Sequence, residues 1–152
     1  MMTFADLLHP DSVLVPLQAA DCDAAIALLV DVLRLPGGPA DRAPLKAAML
    51  AREAAGSTAI GNGVAIPHAR SPNISAPLLA AGLSAQPIDF RSADGKPVTL
   101  VFLLAVPAAD PKSHLEVLAA LSRLAQDKKL LRRLNKAASL DEFRAILAEL
   151  SA

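Results

Sequence analysis

The run Val98-Thr99-Leu100-Val101-Phe102-Leu103-Leu104-Ala105-Val106 leaves the chain little choice of fold. A strand with one wet face alternates apolar and polar residues. This run is apolar almost throughout, so it reads as a strand buried on both faces, and Asp94-Gly95 marks the turn that leads into it. A strand of that kind lies inside a sheet, and helices must cover both sides of the sheet. The same run is too short to cross a bilayer.

The rest of the sequence supplies the covering elements. Ser12-Val13-Leu14-Val15 reads as a first strand, with Pro16 limiting it to an edge or to its end. Asp21 is placed to N-cap a helix reaching to about Leu35, with Ala25, Leu28, Leu29, Val32 and Leu33 at helical spacing. Pro36-Gly37-Gly38-Pro39 stops it. A second helix begins near Asp41, runs through Leu45, Ala48 and Met49 to about Ala54, and ends at Gly56. Asn62-Gly63 is a hairpin turn, because both residues tolerate the positive φ of a type I′ turn. Ser57–Ile60 and Val64–Ile66 are its strands, and Pro67, without an amide hydrogen, ends the second. Ser71-Pro72-Asn73 is a loop, and Leu78 to Ala85 is a further strand. After Pro107 the pattern is helical. Ser113 to Glu116 has capping-box spacing before a helix to about Gln126. Shorter helices follow over Lys128–Lys136 and Leu140–Leu150, the last capped by Ser139. The order β-α-α-β-β-β-α-α-α predicts an α/β fold, a three-layer α/β/α sandwich with a mixed central sheet, in one domain over residues 1–152.

Composition narrows the function classes. Hydrophobic residues make up 53% of the 152, with no Trp or Tyr, so the core is aliphatic. Fifteen basic and fifteen acidic residues balance, whereas a general nucleic-acid binder shows a basic excess. Cys22 is the only cysteine, which rules out an internal disulfide and fits a reducing compartment. The first ten residues lack the layout of a signal peptide, so a cytoplasmic protein with no membrane insertion is expected. Gly56 to Gly61 spaces like a phosphate loop, but Asn62-Gly63 stands where Lys and Ser or Thr are required. His9, His68 and His114 match no zinc spacing, and there is no Gly-x-Ser-x-Gly elbow. Neither metal nor nucleotide cofactor is implied.

His68 is the leading candidate for chemistry, since it emerges where pairing is expected to stop. A neutral imidazole nitrogen is nucleophilic near neutral pH, and phosphoryl transfer needs little more than positioning and positive groups. From spacing alone an ordinary solvent-exposed or hydrogen-bonded loop histidine is the better fit. Arg52, near the end of the second helix, suits either an anion or the helix carbonyls. His114, in the first turn of a helix, is either beside an anion site or on the surface. The hydroxyls of Ser57 and Thr58 either orient an imidazole or satisfy turn amides. His9 reads as a surface turn residue. Cys22 reads as an inert thiol, although a first helical turn can lower a thiol pKa.

Gly61-Asn62-Gly63-Val64-Ala65-Ile66-Pro67-His68 resembles the active-site signature of the phosphotransferase-system enzyme IIA domains of the fructose/mannitol type, and most of all the nitrogen-regulatory enzyme IIA. Further motifs follow the family order: Leu50-Ala51-Arg52-Glu53, Gly56-Ser57-Thr58, Pro87-Ile88-Asp89-Phe90, Asp94-Gly95-Lys96-Pro97-Val98 and His114-Leu115. Ala69 departs from the glycine often found after the histidine, while Arg70 keeps a basic residue. The resemblance implies that His68 accepts a phosphoryl group from a histidine phosphocarrier protein, with Arg52 and His114 stabilising it. It implies partners of two kinds, regulatory target proteins or a separate IIB component whose cysteine takes the phosphate. An interaction module with a dead site is the remaining alternative.

Overall fold

The computed structural model describes residues 4–110 and 112–150. In chain order its elements are α1 (Phe4–Leu7), a single 3-10 turn (Pro10–Ser12), β1 (Val13–Leu17), α2 (Cys22–Asp31), α3 (Pro39–Ala55), β2 (Ala59–Gly61), β3 (Val64–Ala65), β4 (His68–Ser71), β5 (Leu78–Ile88), β6 (Val98–Pro107), α4 (Leu115–Gln126), α5 (Lys128–Asn135) and α6 (Leu140–Ala148). The fully apolar run is β6, and it lies inside a mixed six-stranded sheet ordered β1-β5-β6-β3-β2. β5 runs antiparallel to β6, with Leu79 opposite Leu104 and Ala81 opposite Phe102. On the other side of β6, β3 and β4 lie end to end and parallel to it.

The alternation of β6 divides the core in two. Leu100, Phe102, Leu104 and Val106 face α1, α4, α5 and α6, where they meet Phe4, Val117, Leu121, Leu134 and Phe143. Val101, Leu103 and Ala105 face α2 and α3, where they meet Ile26, Leu29, Leu45 and Met49. Both sides of the sheet are therefore covered, as the sequence predicts, in an α/β/α arrangement.

Several details differ from the sequence reading. Five strands follow α3 where the predicted order counts three: the hairpin supplies two of its own, β2 and β3, and pairing resumes at His68 as an unforeseen β4. Pro67 gives no amide hydrogen, yet its carbonyl accepts from Leu104 N at 2.9 Å, so the chain stays on β6 and continues as β4. α2 ends at Asp31, four residues short of Leu35. Its last amides tighten to Val32 N–Leu29 O and Leu33 N–Val30 O, and the Ser12 hydroxyl takes the Val32 carbonyl at 2.7 Å. The chain then leaves the helix and still buries Leu33 and Leu35. α1 had no expected counterpart, and Phe4 anchors it in the core. β5 continues past Ala85 to Ile88 through an irregularity after Leu83. Pro16 lies within β1, an edge strand, where no outward ladder bond is lost.

Candidate functional site

The site begins at the gap between β3 and β4. Asn62 and Gly63 take φ of 57° and 80°, the backbone that the hairpin requires. Ile66 N donates to Thr58 O at 3.0 Å, which holds the hairpin, and Pro67 O holds the chain to β6. His68 comes next, half-buried, in register with Leu104. Paired residues share a face, so its side chain lies on the side covered by α4, and Arg70 in register with Val106 lies there too.

Among the described residues one bond fixes the His68 ring: Nδ1 is 2.8 Å from the carbonyl oxygen of Ile66. A carbonyl can only accept, so Nδ1 carries the hydrogen and donates it. In the neutral ring the lone pair is then on Nε2.

His114 lies immediately before α4, on the same side of the sheet. It is the N-cap in place of Ser113: its carbonyl accepts from Leu118 N at 2.9 Å, while Ser113 Oγ donates to Asp110 O at 2.9 Å. The expected capping box is absent because the turn over 110–114 takes the serine hydroxyl for itself. His114 Nδ1 is buried and has no hydrogen-bond partner among the described residues. An unpaired buried polar atom costs free energy, and it stands beside first-turn amides that also lack intrahelical partners.

Arg52 is exposed in the last turn of α3, and Nη1 donates to Gly56 O at 2.8 Å. That bond caps the helix end and uses one of the five donors of the guanidinium. α3 covers the opposite side of the sheet from α4 but packs against β4, the edge strand that begins with His68. His68 and His114 thus lie on one side of the sheet, and Arg52 is on the helix of the other layer. No hydrogen bond joins any two of the three among the described residues.

Ser57 and Thr58 do not bond the imidazole. Ser57 Oγ donates to Phe90 O and accepts from Ala59 N. Thr58 Oγ1 and N both donate to Glu53, at 2.7 and 2.6 Å. Glu53 is buried, and its carboxylate ties the end of α3 to the start of the hairpin. Sequence reasoning gave Glu53 no role, since a charged residue at a helix end reads as solvated. The Ile66 carbonyl was equally invisible, being backbone.

The two residues set aside have ordinary places. His9 Nδ1 accepts from Asp11 N at 3.1 Å in an exposed turn. The Cys22 thiol is pushed up to about 12, chiefly by burial and then by Glu53 and Asp23, the reverse of activation. Among the described residues no group of three or more His, Cys, Asp or Glu side chains could hold a metal ion. No helix among them is long and apolar enough to cross a membrane.

Residues 6–150 match the model of the phosphoenolpyruvate-dependent sugar phosphotransferase system, EIIA 2, family. The chain belongs to this family. A nitrogen regulatory protein of Bradyrhizobium diazoefficiens is 34% identical over 97% of this chain and 95% of its own length. A fructose-specific EIIA component of Haloferax volcanii is 38% identical over 84% of this chain and 82% of its own. The crystal structure of nitrogen regulatory protein IIA-Ntr from Neisseria meningitidis superposes with a TM-score of 0.86 at 30% identity, covering 95% of this chain and 98% of that one. Membership of the enzyme IIA family makes this chain a phosphotransfer component. Its relatives include both nitrogen-regulatory and sugar-specific types.

Proposed function

We propose that this enzyme IIA accepts a phosphoryl group on His68 Nε2 from a histidine phosphocarrier protein, and that its phosphorylation state controls binding to regulatory target proteins in the cytoplasm. The observation that carries the chemistry is the Nδ1–Ile66 O bond, which leaves Nε2 free. The Nε2 lone pair forms the new P–N bond as the P–N bond to the carrier breaks and its electron pair returns to the carrier imidazole. The Nδ1 hydrogen stays in place, and the Ile66 carbonyl stabilises the positive charge that the ring gains. His114, with a buried nitrogen in need of a partner, and the α4 amides meet the phosphoryl oxygens. Arg52 leaves the Gly56 carbonyl or uses its remaining donors to reach the same group.

The nitrogen-regulatory branch is favoured by a relative that matches along almost its whole length and by the superposition on IIA-Ntr. The fructose-specific relative supports a second reading, in which the phosphate passes to the cysteine of a separate IIB component. The test is intact-protein mass after incubation with phosphoenolpyruvate, enzyme I and a phosphocarrier. One acid-labile phosphoryl group should appear, and should be absent from a folded His68→Ala variant. Phosphorylation of that variant overturns the assignment. Onward transfer to a IIB cysteine selects the second reading.

A further inference from the structure

A groove separate from His68 lies between the hairpin turn and α5. It has a volume of about 520 Å³, within the range of small-molecule sites. Lys96, Lys128, Arg132 and Lys136 stand around it, with Pro97 as exposed apolar surface. Lys128, Arg132 and Lys136 are spaced four apart, so they stack along one side of α5, where like charges repel. Lys128 also stands in the first turn, where the helix dipole disfavours a cation. None of the four makes an ion pair among the described residues, in a chain whose charges balance overall. Neighbouring Arg133, in contrast, is paired with Glu149 at 2.7 Å. Asp94, close to Lys96, spends its oxygens on Ser92 Oγ and on the amides of Lys96 and Asn62. The cations of α5 repel one another, and among the described residues only the nearby Asp94 carboxylate, acting on Lys96, offsets the cluster's charge.

We propose that this groove binds a small, multiply phosphorylated molecule of the nucleoside polyphosphate class. The phosphates bridge the four cations, and the organic body rests on the exposed Pro97. The site is distinct from the phosphoryl-transfer site. Gly63 bonds to Thr99 and His68 pairs with Leu104, a separation along β6 of roughly 16 Å at about 3.3 Å per residue.

Calorimetric titration of the whole protein with ATP without metal, inorganic tripolyphosphate and a polyglutamate peptide tests this. ATP should bind more tightly than tripolyphosphate, and both should weaken as salt rises. Combined Lys128→Ala, Arg132→Ala and Lys136→Ala substitutions should weaken ATP by at least about tenfold, since three of four charge contacts are lost. Circular dichroism and phosphoryl acceptance at His68 should be unchanged in that variant, and His68→Ala should bind ATP as the parent does. Absence of ATP binding at low salt, unchanged binding by the triple variant, or loss of binding in His68→Ala overturns the proposal. So does tripolyphosphate matching ATP. Tightest binding by polyglutamate overturns it as well, and makes the groove a docking face for an acidic protein.

Discussion

At the residue scale, the chemistry proposed for His68 depends on a backbone atom. The Ile66 carbonyl selects the tautomer, so no side-chain substitution two positions away removes the bond directly. Glu53 acts at one further remove, because its carboxylate satisfies both Thr58 N and Thr58 Oγ1 in a buried setting. Glu53→Ala leaves those donors unpaired and should cost about 1–3 kcal/mol in a denaturant titration. An unchanged midpoint would show that water replaces the carboxylate freely. Cys22 offers a second check. With its thiol pushed up to about 12 by burial, Cys22 should be alkylated at pH 8 at least about tenfold more slowly than in the unfolded chain. Equal rates would contradict the burial described. His68 was legible as a candidate, because the Asn-Gly turn, the proline and the histidine stand in one short stretch. Glu53 and Ile66 were not, since their roles come from contacts across the fold.

At the scale of elements, the site is made by an interruption. β3 and β4 are two pieces of one lane beside β6, and Pro67 is the break that leaves the Ile66 carbonyl available to the imidazole. The sequence marks the break but not the resumption, because His-Ala-Arg-Ser has no strand signal of its own and pairs only through the register that β6 offers. The same reasoning explains α2 and α4: their ends are decided by Ser12 on Val32 and by Asp110 on Ser113, partners that no local pattern announces. β5 shows how close the sheet packing is. A Cβ on Gly82 would stand 2.8 Å from Leu17 Cδ2 and 3.1 Å from Leu17 Cβ. Gly82→Ala should therefore lower stability by about 1–3 kcal/mol, through displacement of β1 from β5. Thermal denaturation measures it, and an unchanged midpoint would mean that Leu17 moves aside without loss.

For the whole molecule, β6 is the common wall of two cores, and its long apolar run made the layered architecture readable before any contact was known. Phe102 is fully buried on the α4 side, so Phe102→Ala should cost about 3–5 kcal/mol. Acid stability has a definite sign at the hairpin. The Ser92 hydroxyl, then the Lys96 and Asn62 amides, hold Asp94 at about 2 against 3.8 for a free aspartate. Its contribution is complete above about 3.8 and is lost as pH falls through about 2. An NMR titration of the Asp94 carboxylate should find the low midpoint, and a midpoint near 3.8 would contradict these bonds. The central claim is that the fold presents Nε2 of His68, and only Nε2, to an incoming phosphoryl group. Nitrogen–phosphorus coupling in the ¹⁵N spectrum of the phosphorylated, ¹⁵N-labelled protein reads this directly. Coupling at His68 Nε2, with the hydrogen retained on Nδ1, is the result expected; coupling at Nδ1, or at His114, contradicts it.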